Sequence, residues 1–115
     1  MSMFEDVVNF QEKFKAYSTP MTKRQNESRF HHIDEELQEL FIALKNEHRP
    51  DMLDALVDIV YVALGMAYVN NFNFEEAWKR VHESNMKKEQ KSTDRSKYDV
   101  IKPEGWEPPN LGDLV

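Results

Sequence analysis

Residues 50–70, Pro50-Asp51-Met52-Leu53-Asp54-Ala55-Leu56-Val57-Asp58-Ile59-Val60-Tyr61-Val62-Ala63-Leu64-Gly65-Met66-Ala67-Tyr68-Val69-Asn70, decide how this chain folds. Apolar side chains fall on nearly every face of a helix drawn through the run. Such a helix belongs at the centre of a fold or of an oligomer. Pro50 suits its first turn, where the missing N–H costs nothing. From Ala55 to Met66 the only charged side chain is Asp58. Burying an unpaired carboxylate costs several kcal/mol, or else the group takes up a proton. Asp58 therefore needs a cation, a basic partner or a hydrogen-bond network.

Upstream, His48-Arg49-Pro50 is a connection short enough to imply an antiparallel helical hairpin. The run before it reads as a helix from about Glu27 to Asn46, with Phe30, Ile33, Leu37, Leu40, Phe41 and Leu44 on one face. Residues 18 to about 26 read as a polar loop that begins at Ser18-Thr19-Pro20. Before the loop, Ser2 and Glu5 form a capping box for a helix whose Phe4, Val7, Val8, Phe10 and Phe14 recur at helical spacing until it fades near Tyr17. Downstream, Asn73 and Glu76 open a fourth helix through Trp78 and Val81 to about Lys88. The expectation is an all-α fold of four-helix bundle-like hairpins. A helical domain spans residues 1–88, and an extended, Pro-containing tail over 89–115, anchored by Trp106, packs on the domain or on a partner subunit.

The 115 residues make one domain that is marginal as a lone monomer. Only 3 glycines and the lack of alternating Val/Ile/Thr runs argue against a sheet protein. A net charge of −6 argues against binding a nucleic-acid polymer, which needs a basic face. With no cysteine, neither a disulfide framework nor a thiolate metal site is available. Met1 to Phe10 carries Glu5 and Asp6 and lacks a basic-then-apolar signal pattern. The longest uninterrupted apolar run, Ile59 to Met66, is too short to span a bilayer. The expectation is a cytoplasmic protein with no membrane partner.

Acids that could share a cation with Asp58 lie on both sides of the hairpin. Asp54 precedes Asp58 by four residues and shares its helical face. On the second helix, Glu35-Glu36-Leu37-Gln38-Glu39 places Glu36 beside the apolar stripe. Glu39, three residues on, lies over Ile42 and Ala43. Taken alone, three glutamates are a solvated helix face, and Asp51 and Asp54 are charges suited to a helix amino terminus. Gathered around Asp58 they would repel one another unless a cation compensates them. Oxygen-only ligands favour a hard cation, Mg²⁺ or Mn²⁺, over Zn²⁺. His31 and His32 read as surface or helix-packing residues.

This pattern resembles the all-α nucleoside triphosphate pyrophosphatases, which include MazG-like proteins and phosphoribosyl-ATP pyrophosphohydrolases. Their mark is E-E-x-x-E followed by E-x-x-D on the next helix. Glu35-Glu36-Leu37-Gln38-Glu39 matches the first half, and Asp58 matches the closing aspartate. The family glutamate three residues before it is Ala55 here, with Asp54 as a possible substitute of shorter reach. Ser84-Asn85-Met86-Lys87-Lys88 resembles the end of the fourth helix in small members, and Lys102 precedes a Pro-rich end as theirs does. The resemblance implies hydrolysis of a nucleoside triphosphate to monophosphate and pyrophosphate. Glu36, Glu39, Asp58 and Asp54 would be metal ligands and Glu35 would activate water, while Asn85, Lys88 and Lys102 would contact the nucleotide. It also implies a homodimer or homotetramer. The competing reading is a non-catalytic helical oligomerisation module that buries the apolar third helix and leaves the acids solvated. A di-iron bundle is disfavoured, because no Glu here has a His three residues later.

Overall fold

The computed structural model describes residues Ser2–Val115. Four helices follow in order: α1 (Met3–Phe14), α2 (Lys23–Lys45), α3 (Arg49–Val69) and α4 (Phe74–Asn85). A two-stranded antiparallel sheet of β1 (Glu89–Lys91) and β2 (Asp99–Ile101) comes next, then a 3₁₀ turn at Gly112–Leu114. The architecture is all-α, as the sequence implies. The chain divides into two compact units, one ending at Phe72 and one spanning Asn73–Val115. That division falls earlier than the expected boundary at residue 88, so α4 goes with the tail.

In the first unit, α2 and α3 form an antiparallel hairpin and α1 packs on α3. The Ser2 hydroxyl accepts the Glu5 amide, as the capping pattern predicts. Helix α1 stops at Phe14 rather than near Tyr17, because Lys15 adopts a left-handed conformation (φ 45°). Helix α2 begins four residues before the expected Glu27. Thr22 and Gln25 form a reciprocal capping box: the Gln25 amide N–H donates to Thr22 Oγ1 and the Thr22 N–H to Gln25 Oε1, both at 3.1 Å. Glu47 turns the hairpin at φ 51°, and the Asp51 N–H donates to His48 Nδ1 to cap α3. Gly65 marks the close approach of α1 to α3, since a Cβ there would stand 2.9 Å from Gln11 Nε2. Gln11 is buried and accepts from Arg29 at 3.2 Å, so its position is fixed. Asn26 and Asn70 exchange side-chain hydrogen bonds of 3.0 and 2.7 Å, tying the start of α2 to the end of α3.

Helix α3 is not the buried centre of the single chain. It buries Ala55, Leu64, Gly65, Ala67 and Val69, but Leu53 is 64% exposed and Val57 54%. The expected stripe of α2 also lies largely open, with Phe30, Leu37, Phe41 and Leu44 exposed and only Ala43 buried. By length and composition α3 is apolar enough to cross a membrane. The count of uninterrupted apolar residues misses this, because the helix carries its apolar character across Asp54 and Asp58. Those same charges, with α1 and α2 packed on the helix, are why we read it as part of a helical bundle.

In the second unit, the Asn73 side chain accepts the Glu76 amide and opens α4. The helix ends at Asn85, short of Lys88. The tail is not simply extended. It returns as the β1–β2 hairpin, and Arg80 of α4 binds Asp113 through both carboxylate oxygens, at 2.6 and 3.0 Å. Trp106 is anchored, as its place in the Pro-rich tail implies: its Nε1–H donates to the Ser84 carbonyl at 2.8 Å.

Candidate metal centre

The register of the α2–α3 hairpin brings Glu36 and Glu39, one helical turn apart, against Asp58. One carboxylate oxygen from each lies within 4.8 Å of the others. Glu36 is the inner member, with a side chain only 12% exposed. Its Oε2 is buried and has no hydrogen-bond partner. Burial raises its pKa above the ordinary carboxylate range, and its contact with Glu39 and the charges of Glu39 and Asp58 act in the same direction. His32, one turn earlier on α2, sets Nε2 3.6 Å from Glu36 Oε1 and works the other way. The four-residue spacing from His32 to Glu36 was the signal for this neighbour, which the sequence reading took as a surface or helix-packing residue.

A solvated acidic face does not describe this arrangement, because Glu36 is largely out of water. Each group offers oxygen and nothing softer, and one oxygen of Glu36 is buried without a hydrogen-bond partner. Such a donor set fits a hard divalent cation.

The other sequence candidates fall outside the three-acid cluster. Asp54 is exposed and shares with Glu39, Ile42, Ala43 and Asp51 an adjoining concavity of about 220 Å³. Ala55, at the position of the family glutamate, is buried at 2% exposure and offers no ligand. Glu35 is exposed and lines a second concavity of about 520 Å³ with Phe10, Phe14, Arg29 and His32 among others. Asn85, Lys88 and Lys102 all lie in the second unit.

The chain matches the phosphoribosyl-ATP pyrophosphohydrolase family over residues 3–85, a span that holds all four helices and the acids Glu35, Glu36, Glu39, Asp54 and Asp58. The chain belongs to this family. No curated protein matches it. Membership in the phosphoribosyl-ATP pyrophosphohydrolase family indicates a pyrophosphohydrolase of the MazG-like, all-α superfamily, whose members depend on divalent metal. The family match ends at Asn85, so Lys88 and Lys102 lie beyond it.

Proposed function

We propose that this protein is a Mg²⁺-dependent nucleoside triphosphate pyrophosphohydrolase that converts a (d)NTP or related nucleotide and water to monophosphate and pyrophosphate. The observation that carries the proposal is the Glu36–Glu39–Asp58 cluster with its orphaned buried oxygen. Glu36, Glu39 and Asp58 would hold the ion directly, and Asp54 would reach it through the concavity it shares with Glu39. A bound divalent cation supplies neutralisation of phosphate charge and polarisation of the phosphoryl oxygen.

The chain's own residues do the rest. Glu35 takes the proton of the attacking water, a role open to an exposed carboxylate beside a concavity. Asn85, Lys88 and Lys102 contact the nucleotide, an assignment that rests on the motif resemblance. The uncovered apolar faces of α2 and α3 support assembly as a homodimer or homotetramer. The cytoplasm is the setting that suits a nucleotide substrate. A panel of ordinary and damaged nucleoside triphosphates, assayed for released pyrophosphate with Mg²⁺, tests the proposal. Turnover of at least one substrate, abolished by chelator, is expected. Release of orthophosphate alone, or activity indifferent to chelator, contradicts it.

A further inference from the structure

The concavity of about 520 Å³ between α1 and α2 carries chemistry that the metal centre does not use. From α1 come Phe10 and Phe14, four residues apart and so on one helical face. Their ring centres lie 4.8 Å apart with the planes tilted by 53°. Phe10 also meets the Tyr61 ring of α3 at 5.4 Å, nearly perpendicular at 84°, which steadies it. Both phenylalanines nevertheless remain exposed. From α2 come Arg29, His32 and Glu35, and His32 stands 3.6 Å from Glu36. The concavity therefore adjoins the three-acid cluster.

Arg29 is the one permanent cation among the lining residues. Its Nη2 donates to two neutral oxygens, Gln11 Oε1 and the Ala16 carbonyl, both at 3.2 Å. Gln11 is buried, so the guanidinium is held against α1 by a fixed partner. Among the described residues no carboxylate lies within ion-pair distance of Arg29. Burial lowers its pKa from the ordinary arginine value, and no neighbouring acid offsets that cost. A guanidinium has five N–H donors and no acceptor, and the donors on Nε and Nη1 stay unused within the described chain. They are not sealed from water, because the Glu36 oxygen is the buried side-chain atom left without a partner. Exposed rings suit a flat heterocycle, and a donor-only edge suits an oxygen on that heterocycle. A phosphate would gain nothing from the two rings.

We propose that Arg29 is a specificity-determining residue: it donates to a carbonyl oxygen of a nucleobase stacked on Phe10 and Phe14. The bases favoured are those with a carbonyl where adenine and cytosine carry an amino group, namely hypoxanthine, guanine, uracil and thymine. An amino group there would set donor against donor and leave an Arg29 N–H unpaired in a half-buried site. This inference rests on the function proposed above for the nucleotide character of the substrate, and it deepens that reading by naming the class of base.

The test uses the full chain in chelator with nucleosides, which carry no phosphate for a metal to hold. Inosine and adenosine, equal in ring size, are titrated while amide NMR shifts are followed, with inorganic phosphate as competitor. Saturable shifts around Phe14 and Arg29 are expected, with inosine binding about tenfold more tightly than adenosine. Arg29→Met should bring the two affinities together. Phe14→Leu, at an exposed helix end, should weaken both nucleosides and keep their ratio. Equal binding of inosine and adenosine by the parent, displacement of inosine by phosphate, or a ratio unchanged in Arg29→Met overturns the inference, as does indifference of both nucleosides to Phe14→Leu. Inosine selectivity without pyrophosphate release from any triphosphate would sink the proposed activity and keep the base site. Turnover without selectivity would do the reverse.

Discussion

Asp58 on α3 and Glu36 on α2 present carboxylate oxygens within 4.8 Å of one another, in a cluster where one Glu36 oxygen is buried without a partner. Like charges at about 4 Å repel by about 1 kcal/mol in water and about 4 kcal/mol at an effective dielectric of about 20. The metal-free protein therefore carries a strain that Asp58→Asn removes. In chelator this variant should melt a few degrees above the parent by circular dichroism. In saturating Mg²⁺ the order should reverse, because only the parent gains binding energy on folding. A variant that melts below the parent in chelator would show that Asp58 stabilises the fold by some other contact.

Glu35 lies outside the cluster, so its proposed role separates from metal binding. Glu35→Gln should lower kcat by about a hundredfold, in the range of a lost general base. The Mg²⁺ concentration for half-maximal activity should stay unchanged. A shift in that concentration with kcat preserved would make Glu35 a ligand instead.

Tyr68 on α3 donates its phenolic proton to Glu12 on α1, and Tyr17 donates to the same oxygen at 2.9 Å. The hydrogen bond to Glu12, reinforced by burial and by the Glu12 charge, pushes Tyr68 up to about 12. The folded protein thus holds this proton more tightly than the unfolded chain, whose phenol ionises near pH 10. The resulting stability is complete below about pH 10 and is lost as pH rises toward about 12. Melting temperature followed over that window should fall more steeply for the parent than for Tyr68→Phe. Parallel curves would contradict the assignment.

Much of this was legible in the residues. Periodicity located all four helices, and Asp58 in its apolar run pointed across the hairpin to Glu36 and Glu39, because one short connection leaves few registers. The start of α2 was missed because Thr22 and Gln25 are both polar and hide in a loop-like stretch, although their spacing is a capping box. The hairpin of the tail was missed because its strands of three residues carry no alternation to read. Asp58 stood out as the one charge in its apolar run, but residue spacing left open whether Asp54 joins it as a ligand. The two share a helical face, and the packing of α2 shows which acid meets Glu36.

The open apolar faces bear on assembly. Phe41 is 61% exposed on α2, and Leu53, Leu56, Val57 and Val60 are exposed on α3. Light scattering should give a mass above the 13.7 kDa of one chain. Val57→Lys should lower it by burying a charge in the interface. A monomeric parent would remove the oligomer from the proposal and leave the metal centre untouched.

Calorimetric titration of Mg²⁺ or Mn²⁺ into the metal-free protein tests the central claim most directly. The account predicts saturable binding that Asp58→Asn and Glu39→Gln each weaken by at least about tenfold, with helical content retained. Weak, unsaturable heats in the parent, or affinities unchanged by both substitutions, would contradict it.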